Sequence, residues 1–456
     1  MDTKSYFSTH QERILSDWYT FLSFKSVSTD PVFNAECEQC AAWVETQLRS
    51  MGARTEFLRG NGKPVVFGEL PGDPSKPTVL FYGHYDVQPV DPIELWKSNA
   101  FEPTLREGRV YARGAQDNKG QVTYVLKAIE ALRSEAVSSG NAQLLPTIKF
   151  VIEGEEECGS DVLTNGLSQW KEKFKADILL VCDTGMLSRG LPTITMGLRG
   201  IVGCEVRVKG AHVDLHSGVY GGIVKNPGQV ICELVSKAYN PDGSIAIPGF
   251  YDGVALPAQE DRDLAAQAPL SVTTMEAALG TKLVGGEVAL PVLERRGFRP
   301  TLEVNGLGAG YQGEGGKTVI PSVAFAKITS RIVVGQDPVA LLQRIVSFFK
   351  DNAPEGVTVE VVNENATGGA LQLSSNSPVI QKAADALRTQ FQREPIYLWE
   401  GASIPLVGAL RDASGGEAVL VGFGLEEDLI HAPNESFSLE QFEQGFHFVA
   451  NFIASL

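Results

Sequence analysis

Phe81-Tyr82-Gly83-His84-Tyr85-Asp86 is the stretch on which the reading of this chain turns. The apolar run Val79-Leu80-Phe81 predicts a buried strand, and His84-x-Asp86 sits where that strand ends. In an open α/β sheet, ligands bind outside the carboxyl ends of the strands. A second run, Ile148 to Ile152, empties into Glu153-Gly154-Glu155-Glu156-Glu157. A third, Ile178 to Cys182, ends at Asp183, and a fourth, Ala418 to Val421, leads through Gly422 and Gly424 toward His431. Asp117, in Gly114-Ala115-Gln116-Asp117-Asn118, precedes an amphipathic stretch. Carboxylates mixed with imidazole, and no thiolate, suit a catalytic zinc-like site rather than a structural one.

The alternation of strand and helix continues around this core. Val122, Val125, Leu126, Ile129 and Leu132 recur at three and four, which predicts a helix after Asp117. The fold class expected is α/β, a mostly parallel sheet with helices on both faces. Near Pro192 the texture changes. Cys204, Val206 and Val208 alternate with charged residues, the period of a half-exposed strand. Asn226-Pro227 and Asp337-Pro338 read as capped helix starts. Strands are expected from Thr301 to Asn305, from Val319 to Val334, and across Val357, Val359 and Val361. The order β-α-β-β-α-β is a split βαβ arrangement. Ser377-Pro378 then opens another helix and α/β texture returns. The expected division is therefore a metal-binding domain, 1–192, an inserted α+β lid and dimerisation domain, 193–374, and the rest of the first domain, 375–456. Residues 239–299 carry no clear period.

Bulk properties bound the function. At 456 residues the chain exceeds one core. A net charge of −16 with no basic stripe excludes a nucleic-acid partner and reads as a solvated acidic surface. Polar residues open the chain, and no run reaches the ~18 apolar residues a membrane helix needs. Neither secretion nor a membrane anchor is expected. The six cysteines are scattered, and Cys37-x-x-Cys40 lies on what reads as an amphipathic helix rather than in a paired metal motif. Reduced thiols fit a cytoplasmic protein.

Six segments together resemble the di-zinc exopeptidase family of carnosinase, cytosolic non-specific dipeptidase, aminoacylase and glutamate carboxypeptidase, with the carnosinase-like dipeptidases nearest. They are Gly83-His84-Tyr85-Asp86-Val87-Gln88-Pro89, Arg113-Gly114-Ala115-Gln116-Asp117-Asn118-Lys119-Gly120, Glu153-Gly154-Glu155-Glu156-Glu157-Cys158-Gly159-Ser160, Leu215-His216-Ser217-Gly218-Val219-Tyr220-Gly221-Gly222, Lys317-Thr318-Val319-Ile320-Pro321 and Glu400-Gly401-Ala402-Ser403-Ile404-Pro405. The resemblance implies two divalent ions per chain, zinc first, with manganese and cobalt accepted by the same ligands. His84 and Asp183 would hold one, Glu157 and His431 the other, and Asp117 would bridge them across a cis Asp117–Asn118 bond. Asp86 would orient His84 from behind. Glu156 would be the general base for a metal-activated water, with Glu155 a bystander. Cys158 replaces the commoner small residue.

The same resemblance implies substrate contacts from His216, Thr318, Arg331 and Ser403, with His216 reaching the neighbouring active site of a homodimer. A guanidinium matches a carboxylate's two oxygens, which suits Arg331 to a substrate's C-terminus. His212, His10 and His447 are read as structural or surface residues. The function implied is hydrolysis of the peptide bond of dipeptides or short peptides with a free carboxylate. The alternative is hydrolysis of N-acyl or N-carbamoyl amino acids, which needs the same ions and base and a different pocket. A silent scaffold would have lost a ligand or the base, and none is lost.

Overall fold

The computed structural model describes residues 3–138, 140, 145–402 and 404–456. They form two compact units, one of 1–196, 373–397 and 409–456, the other of 197–372 and 398–408.

The first unit is built on a six-stranded sheet. Its strands lie in the order Arg54–Leu58, Val65–Leu70, Ile148–Glu153, Val79–His84, Ile178–Val181, Glu417–Leu420. The last four run parallel to one another, and Val65–Leu70 is the one reversed strand. Every residue of Val79–His84 and of Ile178–Val181 is buried. Continuous burial needs cover on both sides of the sheet, and this explains why these strands read as unbroken apolar runs rather than alternating ones. The helix Lys119–Ser138 begins two residues after Asp117 and is buried over most of its circumference. Cys37 and Cys40 are both buried on the helix Asn34–Ser50. All six cysteines are free thiols.

The second unit carries a four-stranded antiparallel sheet ordered Thr301–Ala309, Val323–Ile332, Gly200–Lys209, Thr358–Gly368. Burial alternates strictly along Gly200–Lys209, so one face is sealed. Val202, Cys204, Val206 and Val208 on that face pack with Val230, Ile231, Leu234, Leu341, Ile345 and Phe349 of two helices, Pro227–Lys237 and Pro338–Asp351. Both helices start as their sequences imply. Asn226 accepts the Gly228 N–H and Asp337 accepts the Ala340 N–H, each with proline next in line. The split βαβ order is the one expected.

Two features differ from the sequence reading or lay beyond it. Residues 239–299 hold three short helices, Gln259–Ala265, Val272–Leu279 and Val292–Phe298. Each spans about two turns, too few for a hydrophobic period to declare itself. Residues 398–408 belong to the second unit, whereas the sequence assigned all of 375–456 to the first. Side-chain packing accounts for this: Trp399 lies 4.9 Å from Phe298 between ring centres, and Arg296 pairs with Glu400 at 2.6 Å. Among the described residues no helix is long and apolar enough to cross a membrane.

Candidate metal centre

The end of the central strand delivers the first ligand candidate. His84 closes Val79–His84 and is fully buried. Its Nδ1 lies 3.1 Å from the Asp86 carbonyl oxygen and 3.3 Å from Asp86 Oδ1. A proton held there leaves Nε2 as the atom that would meet an ion once its own proton is given up. Nε2 sits 3.1 Å from Asp117 Oδ1 and 3.7 Å from Asp183 Oδ2. On the other side, His431 Nε2 lies 2.9 Å from Asp117 Oδ2 and 3.4 Å from Glu157 Oε2. Two groups result, His84 with Asp117 and Asp183, and Asp117 with Glu157 and His431. In each, the candidate ligand atoms fall within 4.8 Å of one another. Asp117 is common to both and gives one oxygen to each.

A lattice of hydrogen bonds sets these groups. The Asp117–Asn118 peptide bond is cis, as the resemblance implies. Asn118 Nδ2 donates to Asp183 Oδ1 at 2.7 Å and to the Cys182 carbonyl at 3.0 Å, while its Oδ1 accepts the His84 N–H at 3.3 Å. Besides lying against His84, Asp86 accepts the N–H groups of Glu156 and Glu157 on its two oxygens at 3.2 and 3.1 Å. Gln88 Nε2 donates to Glu157 Oε2 at 2.8 Å. Glycine is required at 120, where a Cβ would lie 1.9 Å from the Ala115 carbonyl oxygen. His431, 51% exposed, takes a left-handed backbone at φ 60°, a conformation non-glycine residues keep only where their surroundings demand it. Asp428 anchors its loop, accepting Leu425 N–H at 2.7 Å and Gln441 Nε2 at 2.8 Å.

Glu435 went unread in the sequence. Fully buried, it accepts Arg113 Nη1 at 2.8 Å, Gly114 N–H at 2.9 Å, Gln116 N–H at 3.0 Å and Asp117 N–H at 3.1 Å. The available signal was its closeness to His431 together with Arg113 beside Asp117. Glu153 is a second omission. Burial pushes its carboxyl up to about 8, and Oε1 accepts the Tyr82 and Ser160 hydroxyls at 2.7 and 2.9 Å. Glu155, read as a bystander, accepts the Lys63 and Val162 N–H groups at 2.9 and 3.0 Å.

Electrostatics fit a cation. Burial raises the Glu156 carboxyl well above its ordinary range, and the charges of Asp183, Asp117 and Glu157 add to the effect. Burial likewise pushes Asp183 up to about 7. Hydrogen bonds to Asp117 and then Glu157 hold His431 up to about 10. Burial works against charge on His84, but its bonds to Asp117 and Asp86 keep it well above the usual imidazole value. Four carboxylates crowded around two imidazoles are costly in so dry a place, and divalent ions relieve that repulsion. Oxygen and imidazole donors, with no thiolate among them, match zinc, manganese or cobalt. The Glu156 carboxylate accepts no hydrogen bond from the described residues, which leaves it available to a substrate or to water.

The remaining candidates lie in the second unit. His216 and Val319 pair in a short ladder, and Ser217 N–H donates to the Thr318 carbonyl at 3.1 Å, so His216 and Thr318 are brought together. His216 Nδ1 accepts the Gly218 N–H at 3.0 Å. Arg331 sits on Val323–Ile332 opposite Ile201 and Thr301. Ser403 lies outside the described residues. His10 stacks on Tyr6 at 4.1 Å and His447 Nε2 lies 3.2 Å from Glu443, neither near the cluster's partners.

Comparison with known proteins agrees with this geometry. The model of peptidase family M20/M25/M40 matches residues 80–455. A Beta-Ala-His dipeptidase of Rattus norvegicus is 27% identical over 99% of this chain and 94% of its own length. The Cys-Gly metallodipeptidase dug1 of Schizosaccharomyces pombe is 28% identical over 95% of this chain and 94% of its own. The crystal structure of human carnosine dipeptidase 1 superposes with a TM-score of 0.81 at 27% identity, covering 100% of this chain and 98% of that one.

Proposed function

The chain belongs to peptidase family M20/M25/M40, and we propose that it acts there as a metal-dependent dipeptidase holding two ions. One ion would be held by His84, Asp117 and Asp183, the other by Asp117, Glu157 and His431. The observation that carries this reading is the Asp117 carboxylate, whose two oxygens face two different histidines at 3.1 and 2.9 Å. Dipeptidases named for Beta-Ala-His and Cys-Gly stand among its relatives over nearly the whole chain. When bound, the ions supply Lewis acidity that polarises the scissile carbonyl and acidifies water.

The protein's own residues do the rest. Glu156, with a raised affinity for protons, takes one from the attacking water and passes it to the leaving amine. Asp86 holds the N–H groups of both Glu156 and Glu157, which would leave Glu157 to hold an ion and Glu156 to act as the base. His216 keeps its Nδ1 occupied as an acceptor, which puts the neutral ring's proton on Nε2. That N–H suits a donor to the developing oxyanion, offered to the partner's site in a homodimer. Thr318, Arg331 and Ser403 would receive the substrate's carboxylate. Six free thiols accord with a cytoplasmic setting.

A panel of dipeptides set against N-acyl and N-carbamoyl amino acids, each assayed with zinc and with manganese, tests the reading. Turnover of dipeptides above the acylated amino acids supports it. The reverse order would move the chain to amide hydrolysis of a different substrate class.

A further inference from the structure

Among the described residues, Glu156 is held through its backbone alone. Its carboxylate accepts no hydrogen bond from them, whereas Glu157 beside it is braced at the side chain by Gln88 Nε2 at 2.8 Å. Where the Glu156 carboxylate lies therefore depends on what fixes the turn that carries it, the short 3₁₀ helix Glu156–Cys158. Asp86 fixes one side of that turn through the N–H groups of Glu156 and Glu157. The other side belongs to Glu155.

Glu155 is 7% exposed, and both its carboxylate oxygens are engaged. Oε1 accepts the Lys63 N–H at 2.9 Å, from the segment joining Arg54–Leu58 to Val65–Leu70. Oε2 accepts the Val162 N–H at 3.0 Å. Val162 lies in the first turn of the helix Asp161–Phe174, where N–H groups have no partner within the helix. Ser160, at the N-cap, makes no side-chain bond there and donates instead to Glu153 at 2.9 Å. A carboxylate in this place also meets the positive end of the helix dipole. The Glu155 carbonyl oxygen accepts the N–H groups of Cys158 and Ser160 at 3.1 and 2.7 Å, which closes the turn on itself. The seat of the carboxylate is close-fitting: a Cβ added at Gly62 would lie 2.0 Å from Oε1 and 2.8 Å from Oε2.

We infer that Glu155 is a positioning residue for the general base: its carboxylate ties the turn to a loop on one side and a helix on the other, and so sets where the Glu156 carboxylate lies. The inference rests on Glu156 being the base. It gives Glu155 no contact with substrate, ion or water. Misplacing a reacting group by about 1 Å can lower a rate by ~10²-fold, so a residue with no chemical part can still govern kcat.

The test measures kcat, KM and bound metal on the same samples of metal-loaded protein with a dipeptide substrate. Glu155→Ala should lower kcat roughly 10–100-fold while KM and metal content stay as in the wild type. A merely structural role would not give that split, because unfolded chains lose metal in step with kcat. Glu155→Gln keeps one acceptor oxygen and should fall between wild type and Glu155→Ala. Gly62→Ala serves as an independent variant that leaves Glu155 itself unchanged. Gly62 is outside the left-handed backbone region, so alanine there acts by displacing the carboxylate, and kcat should fall in the same way. The double variant Gly62→Ala/Glu155→Ala should lose no more than Glu155→Ala alone, since the added Cβ then meets no carboxylate. Wild-type kcat in Glu155→Ala beside an inactive Glu156→Gln would overturn this inference alone. So would additive losses in the double variant, or metal lost in step with kcat. Full kcat in Glu156→Gln would instead overturn the assignment of the base, and this inference with it.

Discussion

Glu435 accepts the backbone N–H of Asp117 at 3.1 Å, so a residue four places beyond His431 holds the backbone of the residue whose carboxylate meets His431. Segments more than 300 residues apart in sequence thus meet in the four hydrogen bonds that Glu435 accepts from Arg113, Gly114, Gln116 and Asp117. The Glu435 carboxylate also neutralises Arg113, with both side chains almost wholly buried.

Replacing Glu435 should therefore act on metal and fold together. Glu435→Gln keeps the volume but strands a buried guanidinium, which costs roughly 3–5 kcal/mol when a buried pair is broken. Loosening of the Asp117 loop should lower metal affinity by about 10–100-fold. Chemical denaturation and metal titration measure the two effects. Unchanged metal affinity would show that Glu435 only stabilises the fold.

The adjacent acids Glu156 and Glu157 should part company. Glu156→Gln should retain its ions and lose a factor of ~10² or more in kcat. Glu157→Gln should instead release metal, because its Oε2 lies 3.4 Å from His431 Nε2 within the second ligand group. Metal analysis beside kinetics separates them, and the reverse pattern would shift the assignment by one residue.

Metal binding should release protons at neutral pH. In the metal-free protein His431 is held up to about 10, above its ordinary 6.5, and Asp183 is pushed up to about 7. His431 therefore keeps its proton at pH 7 and Asp183 keeps part of its own. Both must be given up to an ion, so affinity rises with pH across this window and falls in acid. Calorimetry in buffers of different ionisation enthalpy reads the release. Binding heats that do not depend on the buffer would contradict it.

Much of this centre was legible because strand ends write themselves plainly. Val79–His84 and Ile178–Val181 are buried on both faces, so their apolar runs stand out and the polar residues after them draw notice. Glu435 was not legible, since its partners are backbone N–H groups, which leave no trace in side-chain pattern. Nor were the helices of 239–299: Gln259–Ala265 and Val292–Phe298 start without a side-chain cap and end within seven residues. The transfer of 398–408 to the second unit rests on Trp399 and Glu400 finding Phe298 and Arg296, a long-range match that no local period announces.

The proposed sharing of the active site between subunits has its own test. In a mixed dimer of a His216→Ala subunit and a Glu156→Gln subunit, one site would have both native groups. Activity absent from either homodimer should return in part. A verified heterodimer without recovery would return His216 to its own chain's site or remove it from the chemistry.

The central claim, two ions divided by Asp117, is tested most directly by stripping the protein with a chelator and titrating zinc or manganese back while following dipeptide hydrolysis. The stripped protein should be inactive, with turnover returning and levelling off at about two equivalents per chain. Full activity in the stripped protein, or a plateau at one equivalent, would contradict the account.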